Sequence, residues 1–193
     1  NPTKQQLAIL SKIPFSEAAL EECKNTHVLA AVFPLSILEL RGKIPSDQRL
    51  FYNQDWYNKE SFAKDRGETE WQLVKKTPIE NSTSKNWDEQ QQLLNKDEET
   101  PKIRVMIYTI IGHFLATGER LFEKLYVRCS GMDSDGDRVS VGVFDSVGLR
   151  VNCYRVGLRN DDIGVSSAWK SKKENLDPPT GGLEDLPLLT TLS

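Results

Sequence analysis

Apolar positions along this chain follow two periods, and the change falls near Lys124. Before it the spacing is mostly helical. Residues 5–12 and 16–25 predict two short helices, separated by Pro14, with Ser16 placed to cap the second. Residues 27–33 (HVLAAVF) predict a buried strand, because the run is short and Pro34 follows it. The apolar pattern continues over residues 35–40 and stops at Arg41-Gly42-Lys43. Residues 50–57 (LFYNQDWY) form an aromatic cluster that, without basic neighbours, reads as core and not as a base-stacking surface. Residues 58–66 predict a helix capped by Asn58 and stopped by Gly67. Residues 70–76 predict a strand with Trp71 and Leu73 on one face.

A polar helix is predicted over residues 84–97, with Trp87, Leu93 and Leu94 left to pack. The strongest helix follows at 101–117. Thr100 suits its N-cap, Pro101 its first position and Gly118 its end. Ile103, Met106, Ile107, Ile110, Ile111, Phe114 and Leu115 recur at helical spacing, so this helix should be central and buried. His113 lies on it with no metal-spaced partner, which fits a packed histidine. Beyond Lys124 the period is two. Residues 125–129, 138–144, 148–156 and 164–168 predict strands, with turns at 133–137 and 145–148 and a loop at 159–163. Residues 171–193 form a polar, then Pro- and Gly-rich tail, expected to be loosely held or to pack through Leu186, Leu188 and Leu189.

The length of 193 residues suits one domain, placed at 1–170, followed by that tail. A net charge of -3 offers no bulk attraction to nucleic acid. No apolar run is long enough to span a bilayer, and the start shows no secretory signal. The expectation is a cytoplasmic protein, unless a partner or a virion displays it. The absence of an initiator Met leaves room for a preceding segment. Cys23, Cys129 and Cys153 lack metal-ligand spacing and imply reduced thiols, although a Cys129–Cys153 bridge between neighbouring strands stays open. Asp133-Ser-Asp-Gly-Asp137 is similar to the start of a calcium loop. Loop positions six and twelve fall on Arg138 and Phe144, however, so a hairpin turn fits better. Glu89, Glu98 and Glu119 read as helix surface. No motif specifies a reaction, a metal or a cofactor.

One compositional feature remains. Residues 125–168 hold eleven Arg and Asp but no Lys or Glu, whereas the other 149 residues hold thirty Lys and Glu against twelve Arg and Asp. Charge cannot explain the split, because Asp and Glu carry the same charge, and so do Arg and Lys. Gln and Trp are also missing there, and Met132 is the lone Met. Lys, Glu, Gln, Met and Trp are the five residues that no codon ending in a pyrimidine encodes. Outside the segment they fill 43 of 149 positions. The skew reads as randomisation of the first two codon positions, against strand composition plus chance.

Several phrases carry a resemblance. They are Arg138-Val-Ser-Val-Gly-Val-Phe144 with Gly148-Leu149-Arg150-Val151, the ending Gly164-Val-Ser-Ser-Ala-Trp-Lys170, and the upstream YTIIGHFLATGERLF at 108–122. Together they resemble the variable proteins of diversity-generating retroelements over residues 20–170, most specifically in the last third. Trp169 departs from the basic residue expected beside Lys170. In that family a reverse transcriptase copies a template with errors at adenines, so AAY codons become NNY codons. The resemblance implies an α+β, C-type lectin-like fold. Its N-terminal extension at 1–26 would be helical, and its strand-rich C-terminal part would carry a hypervariable region at 138–170.

By position, the implied ligand-binding residues are Val143, Arg150, Asn152, Cys153, Tyr154, Arg155, Val156, Gly157, Leu158, Arg159, Asn160, Asp161 and Asp162. Gly148, Leu149, Val151, Gly164 and Val165 would be scaffold. The implied function is ligand-binding display without catalysis, towards an unknown protein or surface ligand. The sugar-binding triplets Glu-Pro-Asn and Gln-Pro-Asp are absent. Two alternatives stand beside it. One is an enzyme on the formylglycine-generating type of lectin fold, which needs a reactive pair such as Cys129 and Cys153. The other is a small interaction domain that is not diversified.

The codon reading has a direct check. Codons at the thirteen implied positions should end in C or T and match a nearby near-repeat carrying AAY codons. Purine-ending codons at several of them, or a neighbourhood without the repeat, would contradict it.

Overall fold

Helix α6 (Ile103–Thr117) lies between two four-stranded sheets in the structure, a computed structural model that describes residues 2–171. The expected tail lies outside the described residues beyond Ser171. Ile103, Val105, Met106, Ile107, Ile110 and Ile111 are buried, as the helical period predicts. Gly118 ends α6 in the left-handed conformation, φ 78°, where its lack of a Cβ matters. His113 is buried, as a packed histidine would be. Two features differ from expectation. Leu115 is 62 % exposed, whereas Arg104 is buried. Thr100 does not cap the helix, which starts two residues beyond Pro101 with Lys102 at the N-cap. Residues 98–101 are instead drawn into extended pairing. Ser130 N–H donates to the Pro101 carbonyl, and the buried Thr100 hydroxyl donates to Gln91 Oε1 at 3.0 Å. His113 Nε2 lies 2.8 Å from Glu119 Oε2, a carboxylate that the sequence reading left on the helix surface.

The N-terminal helices are α1 (Lys4–Leu10) and α2 (Glu17–Cys23), and Ser16 caps the second as expected. β1 (His27–Val32) is followed by α3 (Ile37–Lys43), which the hydropathy pattern left unassigned. Its signal was the capping box Ser36–Glu39, in which each side chain satisfies the other's backbone N–H. The predicted helix at 58–66 is broken into a 3-10 turn (Trp56–Lys59) and a short α4 (Ser61–Lys64). Asn58 sits inside the turn, where its Oδ1 accepts from Arg41 Nη2 at 2.6 Å. In the aromatic cluster, Leu50 and Tyr57 are core as expected, but Tyr52 and Trp56 are more than a third exposed.

β2 (Glu70–Lys75) pairs antiparallel with β1 from His27↔Lys75 to Val32↔Glu70. The predicted 84–97 helix shrinks to α5 (Trp87–Gln91), capped by an Asn86–Glu89 box. Gln90, expected on its wet face, is fully buried and bonded inside the protein, which pins the turn in place. β3 (Glu98–Glu99), β4 (Tyr126–Met132), β5 (Arg138–Asp145) and β6 (Gly148–Tyr154) complete the middle of the chain. The hairpin turn between β4 and β5 is present, closed by Asp133 N–H to the Asp137 carbonyl.

The strand expected at 164–168 is split in two. β7 (Ile163–Val165) runs parallel to β4, and β8 (Ala168–Trp169) pairs with β2 and β3. Ser166 and Ser167, buried at the crossing, divide it: Ser166 Oγ donates to the Lys75 carbonyl and Ser167 Oγ to Glu98 Oε1. The sheets are therefore ordered β1-β2-β8-β3 and β6-β5-β4-β7, and the chain is an α+β protein. Both sheets contribute to one core. Val32 and Val74 come from the first, and Val127, Val139, Val141, Leu149 and Val151 from the second.

If α6 is the centre of that core, Ile107→Ala or Ile111→Ala should destabilise by about 2–5 kcal/mol. Leu115→Ala on the same helix should stay within about 0.5 kcal/mol. Denaturant titration of the three variants checks the contrast.

Candidate ligand-binding face

β6 alternates as its sequence predicts. Leu149 and Val151 face the core and are buried. Arg150, Asn152 and Tyr154 share the opposite face with Ser140, the register partner of Asn152, and with Tyr126 one strand further on, level with Arg150 across Gly142. These three are half-buried and not freely exposed, because they bond to one another and to the scaffold. Arg150 Nη1 donates to the Val143 carbonyl (3.1 Å) and to Asp145 Oδ2 (2.9 Å), and its guanidinium lies 4.8 Å from the Tyr52 ring centroid. Asn152 Nδ2 donates to the Tyr154 hydroxyl at 2.9 Å. The Tyr154 ring meets Tyr126 edge to face at 5.6 Å. Burial first, then Tyr126 and Asp162, push the Tyr154 hydroxyl up to about 12.

The outer edge of β6 is not open. Leu149 N–H donates to the Leu50 carbonyl, and Tyr52 N–H donates back to Leu149. Gln54 Nε2 and Trp56 Nε1 both donate to the Val151 carbonyl, at 2.8 and 3.0 Å. Gly148, at φ 118°, lets this segment come so close that a Cβ would meet the Phe51 and Tyr52 backbone. The aromatic cluster thus clamps the strand that carries Arg150, Asn152 and Tyr154, a role its composition did not reveal.

After Tyr154 the chain turns back over the sheet. Arg155, Val156, Gly157, Leu158, Arg159 and Asp161 are exposed, with Asn160 and Asp162 half-buried. Nearly all of this loop's bonds to the rest of the protein run through main-chain oxygens. Trp87 N–H donates to the Val156 carbonyl (2.9 Å), Ser84 N–H to Asn160 (2.8 Å) and Tyr126 N–H to Asp162 (2.8 Å). Arg128 Nη2 donates to the Leu158 carbonyl at 2.7 Å, and Gln90 Nε2 to Ile163 at 3.1 Å. One side-chain pin joins them: Arg159 forks onto both Glu89 carboxylate oxygens, at 3.0 and 2.8 Å. That hydrogen-bonded guanidinium, with the Asn86 N–H, draws the Glu89 carboxyl down to about 2.

Beneath the loop lies a buried polar group that sequence reasoning missed. Arg128 and Gln90 are both wholly inaccessible. Arg128 Nη1 donates to Gln90 Oε1 (2.9 Å) and to the Lys85 carbonyl (3.1 Å). Gln90 Nε2 also reaches the Ser82 carbonyl at 2.8 Å, while Ser82 Oγ accepts from Val165 N–H. No carboxylate bonds this guanidinium among the described residues, and burial lowers its pKa.

Two expected positions fall away from the shared face. Cys153 alternates onto the core side, opposite Val139 and beside the Asp133 turn. Burial, then the Asp133 hydrogen bond and charge, hold its thiol up at about 12. Asp133, Asp137 and Cys153 bring candidate metal-ligand atoms within 4.8 Å of one another, but Asp133 Oδ1 already accepts from Asp135 and Asp137 N–H. Val143 sits in a bulge of β5, at φ 45°. Cys129 is fully buried, and burial alone pushes its thiol far up. It forms no bridge with Cys153; all three cysteines are free. Among the described residues no helix is long and apolar enough to cross a membrane. Compared with known proteins, the chain matches no family model, no curated protein and no solved structure.

A β-branched residue at positive φ is strained, and Asn tolerates that conformation better. Val143→Asn, the residue an AAY codon encodes, should therefore stabilise the protein by about 1 kcal/mol. A lower melting temperature for this variant would contradict the strained bulge.

Proposed function

We propose that this chain is a ligand-binding display protein on a C-type lectin-like fold, and that a retroelement diversifies its C-terminal face by adenine-directed mutagenesis. One observation carries the reading. The segment with the codon-like skew supplies a strand-and-loop surface, from Arg150 to Asp161, whose backbone is held by donors outside the implied ligand-binding positions. Its outward side chains can differ without rebuilding a core, while Val151 stays in it, which is what a display surface requires. The mixture of Tyr, Arg, Asn and small residues resembles that of adaptable paratopes. Exposed Val156 and Leu158 add apolar contact area. An acidic net charge and a surface of mixed sign favour a protein ligand over nucleic acid.

The catalytic alternative is less well supported. A formylglycine-type chemistry begins with a reactive thiol, and thiolates are the nucleophiles. Cys129 is buried without a base, and Cys153 faces carboxylates that keep it protonated.

The reading is tested by a library. Arg155, Val156, Leu158, Arg159 and Asp161 are randomised with NNY codons and the chains selected against unrelated protein targets. Most members should fold, since surface changes stay within about 0.5 kcal/mol each. Selection should return target-specific binders that differ from one another only at these positions. Failure to recover any binder from a well-folded library would defeat the proposal.

A further inference from the structure

We propose that Arg128 is the positioning residue of the varied loop, fixing its path through main-chain oxygens so that residues 155–162 can change identity on a constant backbone. The inference gives the display reading its mechanism and rests on it for its biological meaning. Its physical content stands on the bonds alone.

Arg128 projects from the middle of β4, at the register level of Ser140 on β5 and Val165 on β7. Its side chain rises on the loop side of the sheet, away from Val127 and Cys129, which face the core. Three of its acceptors come from two separated segments. Lys85 and Gln90 lie before α6, and Leu158 lies at the crest of the loop. A fourth contact, to the Arg155 carbonyl, is long at 3.5 Å. The guanidinium thus bridges the loop to α5. Gln90 extends the bridge to Ser82 and Ile163, so the loop is fastened at its crest and at its exit. The flanking donors, Trp87, Ser84 and Tyr126, use backbone N–H groups that any side chain carries. None of these donors belongs to the implied varied positions.

This choice of acceptor matters. A carbonyl oxygen is present whatever residue occupies positions 156, 158 or 160. A loop held by its side chains would change shape with each new sequence. Arginine suits the task because its planar fork presents five donors in fixed directions, and it stays charged when buried. Lysine offers one compact ammonium and cannot span the same oxygens. The Arg159–Glu89 pair is different in kind. It is a surface contact made by a varied side chain, and such pairs contribute little.

Amide hydrogen exchange tests the inference without any ligand. Its readout is the protection of Ser84, Trp87, Leu158 and Ile163 N–H groups, which make or flank the loop's bonds. In Arg128→Met, these amides should exchange about tenfold faster or more, while α6 and the β5–β6 pairing keep their protection, because local opening is uncoupled from global unfolding. Arg128→Lys should recover part of the protection. Exchange at parental rates in the Met variant would overturn the proposal. So would a uniform acceleration across the chain, which would make Arg128 an ordinary core residue. A second variant decides even if Arg128→Met does not fold. Replacing Arg155, Val156, Leu158, Arg159, Asn160 and Asp161 together by Ala should leave the same four amides protected. Loss of their protection would show that side chains, not carbonyls, hold the loop. Because both variants are read unliganded, failure here is separate from failure of the library to bind.

Discussion

A buried guanidinium, bonded to no carboxylate among the described residues, is the constraint around which the second half of the chain is arranged. Removing a charge from water is expensive unless hydrogen bonds replace the lost hydration. At Arg128 the replacement comes from the Lys85 and Leu158 carbonyls and from Gln90 Oε1. If any one of these oxygens moved away, a buried charged donor would lose its partner. Helix α5 must therefore stay short enough to aim Gln90 inward, and the loop must keep Leu158 over the sheet. The shared demand ties together segments that lie far apart in the chain.

That arrangement separates two jobs within one small sheet. The inner face of β4–β6, with Val127, Val139, Val141, Leu149 and Val151, packs towards α6 and is apolar throughout. The outer face carries Arg150, Asn152 and Tyr154 and is roofed by the loop. The clamp from Leu50 to Trp56 holds the β6 edge through its own carbonyls and amides, again independently of β6 side chains. Strand and loop thus obey one rule, in which backbone groups are pinned from outside, with Arg150 and Arg159 adding side-chain bonds of their own. Cys153 and Val143 are the exceptions. One alternates inward, and the other sits in a strained bulge, so neither projects with the rest.

Elsewhere the titratable groups serve structure. His113 meets Glu119 across the end of α6, which secures the turn after Gly118. Asp133 closes a hairpin by accepting two backbone N–H groups. Arg104, buried in the first turn of α6, donates to the Phe33 carbonyl at 2.6 Å and so fastens the helix to the end of β1. Asp133 and Arg104 satisfy backbone groups at the ends of elements, where unpaired polar atoms would otherwise be costly.

The periodicity of the chain determined α6, its Gly118 terminus, the Ser16 cap, most of the strands and the division of β6 into inner and outer residues. These are local properties, since which side of an element is apolar can be counted along it. The codon-like skew at 125–168 was likewise legible only in the sequence, because it lies in which member of each like-charged pair is used and not in how the chain packs. Tertiary structure alone decided the rest. Gln90 sits in a polar helix and looked wet, yet it bonds Arg128 across 38 residues and Ile163 across 73. Gln54 reaches Val151 across 97. The strand expected at 164–168 divided because Ser166 and Ser167 found acceptors on Lys75 and Glu98. Thr100 lost its capping role to pairing further along the chain. Local hydrophobic pattern encodes which surface must be covered. It does not encode which distant donor will meet which carbonyl, because that depends on where the covered surfaces finally come to rest.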